Sequence, residues 1–218
     1  MIYLIRRRVD VTRDELTVHW FANHMPDVIR AQREAREAGQ DGASRYVATL
    51  FGAADYSGPE AGDEGRWDGM ANLWWPWALS RPPRPHGEPP RDTFQTKAEP
   101  YWPWATKEYV AIDGELSVTP NPFNEPFPAT RGGFYKVTFL VTARRDSDHG
   151  ALYEHWLSEH LPNVCETLLS VGGIRYVVAH SLDPEHAPYA GLAELYFPSA
   201  DCFRDYRARI RPDGMEQW

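Results

Sequence analysis

The stretch Glu15-Leu-Thr-Val-His-Trp-Phe-Ala-Asn-His-Met-Pro-Asp-Val28 returns later in the chain as Ala151-Leu-Tyr-Glu-His-Trp-Leu-Ser-Glu-His-Leu-Pro-Asn-Val164. Six of the 14 positions are identical, at a constant offset of 136 residues. Two shorter blocks repeat in the same order: Arg45-Tyr-Val47 as Arg175-Tyr-Val177, and Trp67-Asp-Gly-Met-Ala-Asn-Leu-Trp-Trp75 as Tyr189-Ala-Gly-Leu-Ala-Glu-Leu-Tyr-Phe197. Since a repeat bears on the whole fold, we interpret the chain as a tandem duplication of one unit.

Both copies predict nearly the same order of elements. A strand rich in β-branched and aromatic residues comes first, over 2–7 and 134–142. A helix follows, which begins with a Thr12–Glu15 capping box in copy one and with Asp148 as N-cap in copy two. The remaining predictions are two strands (45–51 and 68–75; 174–181 and 190–197), a second helix (within 92–104; 199–210) and, in copy one alone, a closing strand over 108–112.

The order strand–helix–strand–strand–helix–strand is that of a ferredoxin-like unit. The sequence therefore predicts a first unit over 1–114, with a Trp/Pro-rich insertion over 76–104, and a second unit over 132–218. Between them, the proline-rich residues 115–131 predict a stiff, extended linker. The insertion is long and aromatic, which is typical of a functional or covering segment, and we expect it to cover one cavity mouth.

Composition narrows the classes of partner and compartment. The 218 residues are 42% hydrophobic, which is enough to bury a sizeable core. A net charge of −8 argues against a nucleic-acid partner, and no apolar run approaches the ~20 residues that a membrane span needs. Two cysteines are too few for a disulfide framework. Because the first residues also lack the charge order of a secretory signal, a cytoplasmic protein is expected.

The repeated motifs resemble those of the EthD family of the dimeric α+β barrel superfamily. The resemblance rests on a helix motif His-Trp-x-x-x-His-x-Pro-x-Val and a strand motif Gly-x-Ala-x-Leu-aromatic in each copy. It implies an α+β fold in which two ferredoxin-like units, fused in tandem, pack their antiparallel sheets as a barrel within one chain, with a homodimer of that chain as a possible assembly. Relatives in this superfamily include cofactor-free cyclases, isomerases and monooxygenases as well as haem-dependent enzymes, so fold alone does not choose a reaction.

The paired histidines are the leading catalytic candidates. His19 and His24, like His155 and His160, lie about 140° apart on a regular helix, at the edges of a face directed to the sheet. A histidine there suits general acid–base catalysis near neutral pH. The alternative for His24 and His160 is a hydrogen bond to a carbonyl freed by the following proline, and for His19 and His155 it is packing beside tryptophan. The angular separation argues against a shared metal ion.

Other candidates lie on the strands and beside the histidines. Glu194 is a possible proton-exchanging carboxylate in mid-strand, or else a residue in solvent or paired with Arg175. The remaining residues would bind substrate or simply fill the core: Trp20, Tyr46, Asn72, Trp74, Trp156 and Tyr176. Copy two has the fuller acid–base set, but the aromatic enclosure of copy one favours the working site there.

The sequence thus predicts a cofactor-independent enzyme that uses histidine acid–base chemistry on a hydrophobic, aromatic or polycyclic small molecule. The reaction would be of cyclase, dehydratase, isomerase or lyase type, with apolar walls that exclude water. Two alternatives stay open: a non-catalytic protein that binds such a molecule, and a haem-dependent enzyme of the same superfamily.

Overall fold

The computed structural model describes residues 1–52, 67–116 and 133–218, which form two compact units that divide between Ala105 and Thr106. The fold is α+β, with one four-stranded antiparallel sheet in each unit. Almost all of the linker predicted over 115–131 lies outside the described residues. No helix in the described part of the chain is long and apolar enough to cross a membrane.

The first unit packs one broken helix on its sheet. Its elements are β1 (Ile2–Ile5), α1 (Arg13–His19), a π-helical turn (Trp20–His24), α2 (Met25–Glu37), β2 (Arg45–Leu50), β3 (Gly69–Trp74) and β4 (Pro103–Trp104). The strand order is β2-β3-β1-β4. The predicted capping box is confirmed: Thr12 accepts the Glu15 N–H, and the Glu15 carboxylate accepts the Thr12 N–H.

The second unit has the same helix–sheet layering and a further C-terminal helix. Its elements are β5 (Thr106–Asp113), β6 (Tyr135–Val141), α3 (His149–His155), a π-helical turn (Trp156–His160), α4 (Leu161–Ser170), β7 (Arg175–Ser181), β8 (Gly191–Phe197), α5 (Ala200–Arg209) and a 3₁₀ turn (Met215–Gln217). The strand order is β5-β7-β8-β6. Asp148 caps α3 as predicted, since its carboxylate accepts the Ala151 N–H.

The strand predicted to close copy one belongs to the other sheet. β5 pairs with β7 along its length, with a bulge between Val110 and Ile112. In the first sheet, the two-residue strand β4 takes the edge beside β1 instead. The expectation that residues 108–112 complete the first unit is therefore wrong. An unpaired β7 would expose a row of backbone N–H and C=O groups, and β5 satisfies them.

The helix predicted within 92–104 is also wrong. Residues 93–97 form turns only, begun by the Asp92 carboxylate, which accepts the Gln95 N–H at 2.8 Å. Pro100 and Pro103 then prevent continuation, since each lacks an N–H and clashes with the preceding turn. The helix predicted over 199–210 is present as α5.

Both helices that carry the His-Trp motif widen at the same place. The N–H of Met25 bonds to the carbonyl of Trp20, and the N–H of Leu161 bonds to the carbonyl of Trp156. These i→i+5 bonds come directly before a proline that has no N–H to donate. Each of the two helices thus has a π-helical turn directly before its proline, and the 140° separation derived for a regular helix does not apply.

Candidate functional site

A cavity of about 390 Å³ lies between the helices and the sheet of the second unit. Its walls come from β6, β7 and β8 below and from α3, α4, α5 and the C-terminal turn above. The lining is mostly apolar or aromatic, and His160 and Arg207 are its ionisable side chains apart from the tyrosines. This volume lies within the range typical of small-molecule sites.

His160 forms a histidine–carboxylate pair at the wall of this cavity. Its Nδ1 lies 2.8 Å from Oδ2 of Asp213. Asp213 is held in turn, because its carboxylate accepts the Asn163 side-chain N–H at 2.6 Å and the Met215 backbone N–H at 3.1 Å. Burial acts to raise the pKa of Asp213, but the hydrogen bonds from Asn163 and His160 and the nearby imidazole hold it below its usual range. The carbonyl-bonded alternative for His160 is wrong, since its partner is a carboxylate.

Two buried polar groups of the cavity wall, from Trp156 and Tyr176, do not form a well-aligned hydrogen bond. Trp156 and Tyr176 are almost completely buried, yet the Trp156 indole N–H and the Tyr176 hydroxyl fail to reach hydrogen-bond geometry. Burial raises the pKa of Tyr176, with a smaller opposite contribution from the nearby Trp156 indole N–H, so the hydroxyl stays protonated near neutral pH. Buried polar groups are normally paired. A donor and a hydroxyl are therefore available to a molecule inside the cavity.

The lining contains seven of the residues that are identical in the two copies. These residues, Leu152, Trp156, His160, Val164, Tyr176, Ala193 and Leu195, match Leu16, Trp20, His24, Val28, Tyr46, Ala71 and Leu73 in the repeated blocks. In the first unit, six of the matching residues pack in or against the core cluster that contains the completely buried Phe94. The ring of Phe94 lies 4.5 Å from that of His24 and 5.6 Å from that of Trp20.

His24 has the same kind of partner as His160. Its Nδ1 lies 2.6 Å from Oδ2 of Asp92, so the carbonyl alternative is wrong here too. The indole N–H of Trp20 donates to the Tyr46 hydroxyl at 3.0 Å, unlike the matched pair in the second unit. Burial raises the pKa of Tyr46 to about 12. With its polar groups paired and Phe94 inside it, this site is filled by the chain itself.

The structure does not bring all the candidate residues together. His19 bonds to the Thr93 hydroxyl at 2.9 Å, and His155 is beside Trp218 with a buried, unpartnered Nε2, outside the cavity lining. Glu194 lies on the face of β8 opposite to Ala193 and Leu195, where its carboxylate pairs with Lys136 Nζ at 2.6 Å and accepts the Tyr196 hydroxyl.

Asn72 and Trp74 likewise lie on the face of β3 opposite to Ala71 and Leu73, which pack in the core with Trp20. Asn72 is buried, and Trp74 carries the Arg45 guanidinium over its ring. The insertion over 76–104 contributes no residue to the lining of the described cavity, and Phe94 shows that part of it packs in the first core instead.

Sequence reasoning missed three residues: Asp92, Asp213 and His180. His180 is buried, with its ring 4.3 Å from that of Tyr153 and 4.9 Å from that of Trp156. Burial, with a smaller contribution from Lys107, lowers the pKa of His180 to about 4, and its Nε2 has no partner. It supports the cavity wall from behind Trp156. The one available signal was its place in the apolar strand Tyr176–Ser181.

Within the described residues, no three His, Cys, Asp or Glu side chains come together as a metal site. Comparison with known proteins finds no matching family model, no similar curated protein and no similar solved structure.

Proposed function

We propose that this chain is an EthD-like member of the dimeric α+β barrel superfamily, built from two ferredoxin-like units in tandem, and that its second unit is a cofactor-independent acid–base enzyme. The substrate class is a hydrophobic aromatic molecule, and the reaction is of isomerase, lyase or cyclase type. The observation that carries the proposal is the His160–Asp213 pair at the wall of an apolar cavity.

The pair assigns a role to each nitrogen of the imidazole. Asp213 accepts the Nδ1–H, so the neutral ring presents the lone pair of Nε2 as a base. Nε2 would remove a proton from a carbon acid or hydroxyl of the substrate, and Asp213 would stabilise the imidazolium that forms. The same nitrogen can return the proton at another atom, which completes an isomerisation, or to a leaving group, which completes an elimination.

Trp156 and Tyr176 suit the charge that this step creates. Removing a proton beside a carbonyl moves negative charge to its oxygen. The unpartnered indole N–H and hydroxyl can donate to that oxygen, and fixed donors in a site that excludes water stabilise such charge strongly. Apolar walls with a few convergent polar groups are the usual composition of a small-molecule site.

Proton abstraction can be tested without the natural substrate. 2-Tetralone is an aromatic ketone with acidic C–H bonds, and its hydrogen–deuterium exchange in D₂O is followed by NMR. We expect the protein to accelerate this exchange above the buffer rate and His160→Gln to lose about 10²-fold or more of the acceleration. The matched control is His24→Gln, in the filled site of the first unit, which should retain it. Equal rates for His160→Gln and the unaltered protein would refute the proposal.

Haem is the competing interpretation of the same pair. An imidazole whose Nδ1 is held by a carboxylate leaves Nε2 for an iron, so His160 fits an axial ligand, and Met215 in the lining carries a thioether. A bound haem would supply redox chemistry that the residues alone lack. A stoichiometric Soret band in the visible spectrum of the purified protein would show that it binds haem and would refute the acid–base proposal. If the protein binds aromatic probes but shows neither a Soret band nor faster 2-tetralone exchange, it is a non-catalytic carrier.

A further inference from the structure

We infer that Phe94 occupies, in the first unit, the place that the second unit offers to its ligand, and that Met215 is the residue that leaves the second site open. The ligand would therefore carry a flat aromatic ring against His160 and an oxygen atom facing Trp156 and Tyr176. The inference rests on the proposed function only in taking the cavity as the substrate site.

The wall of the second unit's cavity matches the environment of Phe94 in the first unit. Seven residues of the cavity wall have identical counterparts in the first unit. Six of those counterparts pack in or against the core cluster that contains Phe94, and the seventh, His24, lies with its ring 4.5 Å from that of Phe94. The histidine, tryptophan and tyrosine of each set come from the same three positions of the repeat. A pocket whose walls already accept a benzene ring in one copy is suited to an aromatic ring in the other.

The two sites differ in the residue that follows the aspartate by two positions. Phe94 is two residues after Asp92, the partner of His24, and Met215 is two residues after Asp213, the partner of His160. Phe94 is completely buried, whereas Met215 is partly exposed and lines a cavity. Methionine is unbranched and adaptable, and its thioether contacts aromatic edges favourably, so it can move aside for a ring and then pack on it.

The polar end of the ligand would face Trp156 and Tyr176. In the filled first site, Trp20 and Tyr46 bond to each other. In the open second site, the Trp156 indole N–H is near enough to act on the pKa of Tyr176, but the two buried groups do not reach hydrogen-bond geometry. A phenol, naphthol or aromatic ketone would satisfy the indole N–H, and a purely hydrocarbon ring would not. One neutral hydrogen bond of this kind corresponds to about tenfold in affinity.

Calorimetric titration with 2-naphthol tests the inference. We expect one 2-naphthol per chain, and up to about tenfold weaker binding of decahydro-2-naphthol, which has the same oxygen but no aromatic face. Met215→Phe should reduce the affinity for 2-naphthol at least tenfold, because it places in the second site the ring that fills the first. Met215→Leu, which adds no ring, is the matched comparison and should reduce the affinity at least threefold less than Met215→Phe does.

The reciprocal change is Phe94→Met, which should raise the stoichiometry from one to two if the variant folds, as judged by circular dichroism. If it does not fold, Met215→Phe still decides the matter. Undiminished binding of 2-naphthol by Met215→Phe, or no binding by the unaltered protein, would overturn the inference. The proposed function fails by a different result, undiminished 2-tetralone exchange in His160→Gln, so the two failures are distinguishable.

Discussion

Asp213 acts on the proposed reaction through His160 and not through the substrate. Its carboxylate bonds to Nδ1 of His160 and is fixed by Asn163 and by the backbone of Met215. A carboxylate in this position selects the tautomer whose Nε2 is unprotonated and stabilises the imidazolium. Asp213 is therefore a positioning residue.

Asp213→Asn should lower the rate of 2-tetralone exchange about 10- to 100-fold and leave the affinity for 2-naphthol within a few-fold. The amide can present an N–H to Nδ1, which favours the tautomer with the proton on Nε2. Nitrogen-15 NMR of the imidazole would show this change of tautomer. An unchanged tautomer together with an unchanged rate would assign Asp213 to structure alone.

The histidines of the site could be predicted from the sequence, but their carboxylate partners could not. His24 and His160 stand out because they repeat in a fixed motif. Asp92 lies 68 residues from His24, and Asp213 lies 53 residues from His160, in segments outside the repeated blocks. No local spacing connects residues so far apart, since the chain between them determines where each carboxylate lies.

His180 makes the stability of the second unit sensitive to acid. Its pKa is about 4 in the folded chain, against about 6.5 when unfolded. Between these values the unfolded chain binds more protons, so the free energy of unfolding decreases as the pH falls from about 6.5 to 4. The loss from this one group is about 3 kcal/mol.

The variant His180→Phe should remove most of that loss. Urea unfolding of both proteins at pH 7 and pH 4.5 measures it, and the difference between the two pH values should be smaller in the variant by roughly 2 kcal/mol. Equal pH dependence in both proteins would show that His180 is not the titrating group.

In each copy, the helix motif packs against the strand motif. A Cβ on Gly191 would lie 3.1 Å from Cζ3 of Trp156 and 2.6 Å from the Ala179 carbonyl oxygen, and Gly69 is in equally close contact with Trp20. The glycine that begins the strand motif therefore allows the helix tryptophan to lie on the sheet. This explains why Gly and Trp are both kept in the two copies.

Gly191→Ala should accordingly destabilise the protein by about 1–3 kcal/mol, since the backbone on one side and a fully buried ring on the other cannot move aside cheaply. Chemical unfolding measures the change. Gly133→Ala is the matched control, because nothing lies within 4 Å of the added carbon, and it should fall within about 0.5 kcal/mol of the unaltered protein. Equal effects from the two substitutions would contradict this packing argument.

Periodicity and capping residues predict most helices and strands of each unit. The wrong predictions concern segments in which these two sequence signals are weak or interrupted. β1, β2, β3, β6, β7 and β8 were predictable from β-branched and aromatic runs, and α1 and α3 from their N-caps. The segment over 92–104 has helix-compatible spacing, but Pro100 and Pro103 interrupt it. The partner of β5 was not predictable, because a strand's own sequence says nothing about which of two open edges it joins.

The second unit begins at Thr106, earlier in the chain than the second copy of the repeated sequence. β5 completes its sheet, and Tyr109, Ala111 and Ile112 pack against its core. The fragment 106–218 should therefore unfold cooperatively, with a cavity that still binds 2-naphthol.

The matched fragment 115–218, which begins directly after the first unit predicted over 1–114, lacks that strand. It should be less stable by about 3 kcal/mol or more, since it leaves β7 unpaired and exposes the part of the core that Tyr109, Ala111 and Ile112 of β5 cover. Circular dichroism during urea titration compares the two. Equal stability of both fragments would show that β5 is dispensable.

One spectrum shows whether the second unit holds an aromatic ligand between His160 and Met215. The chain has four methionines, Met1, Met25, Met70 and Met215, so a sample with ¹³C-labelled methionine methyl groups gives four signals. Met25 packs in the first core, near the filled site, and serves as an internal control. With 2-naphthol added, we expect a ring-current shift and nuclear Overhauser contacts to the ligand for Met215 alone. A spectrum in which Met215 is unchanged, or in which Met25 responds instead, would contradict it.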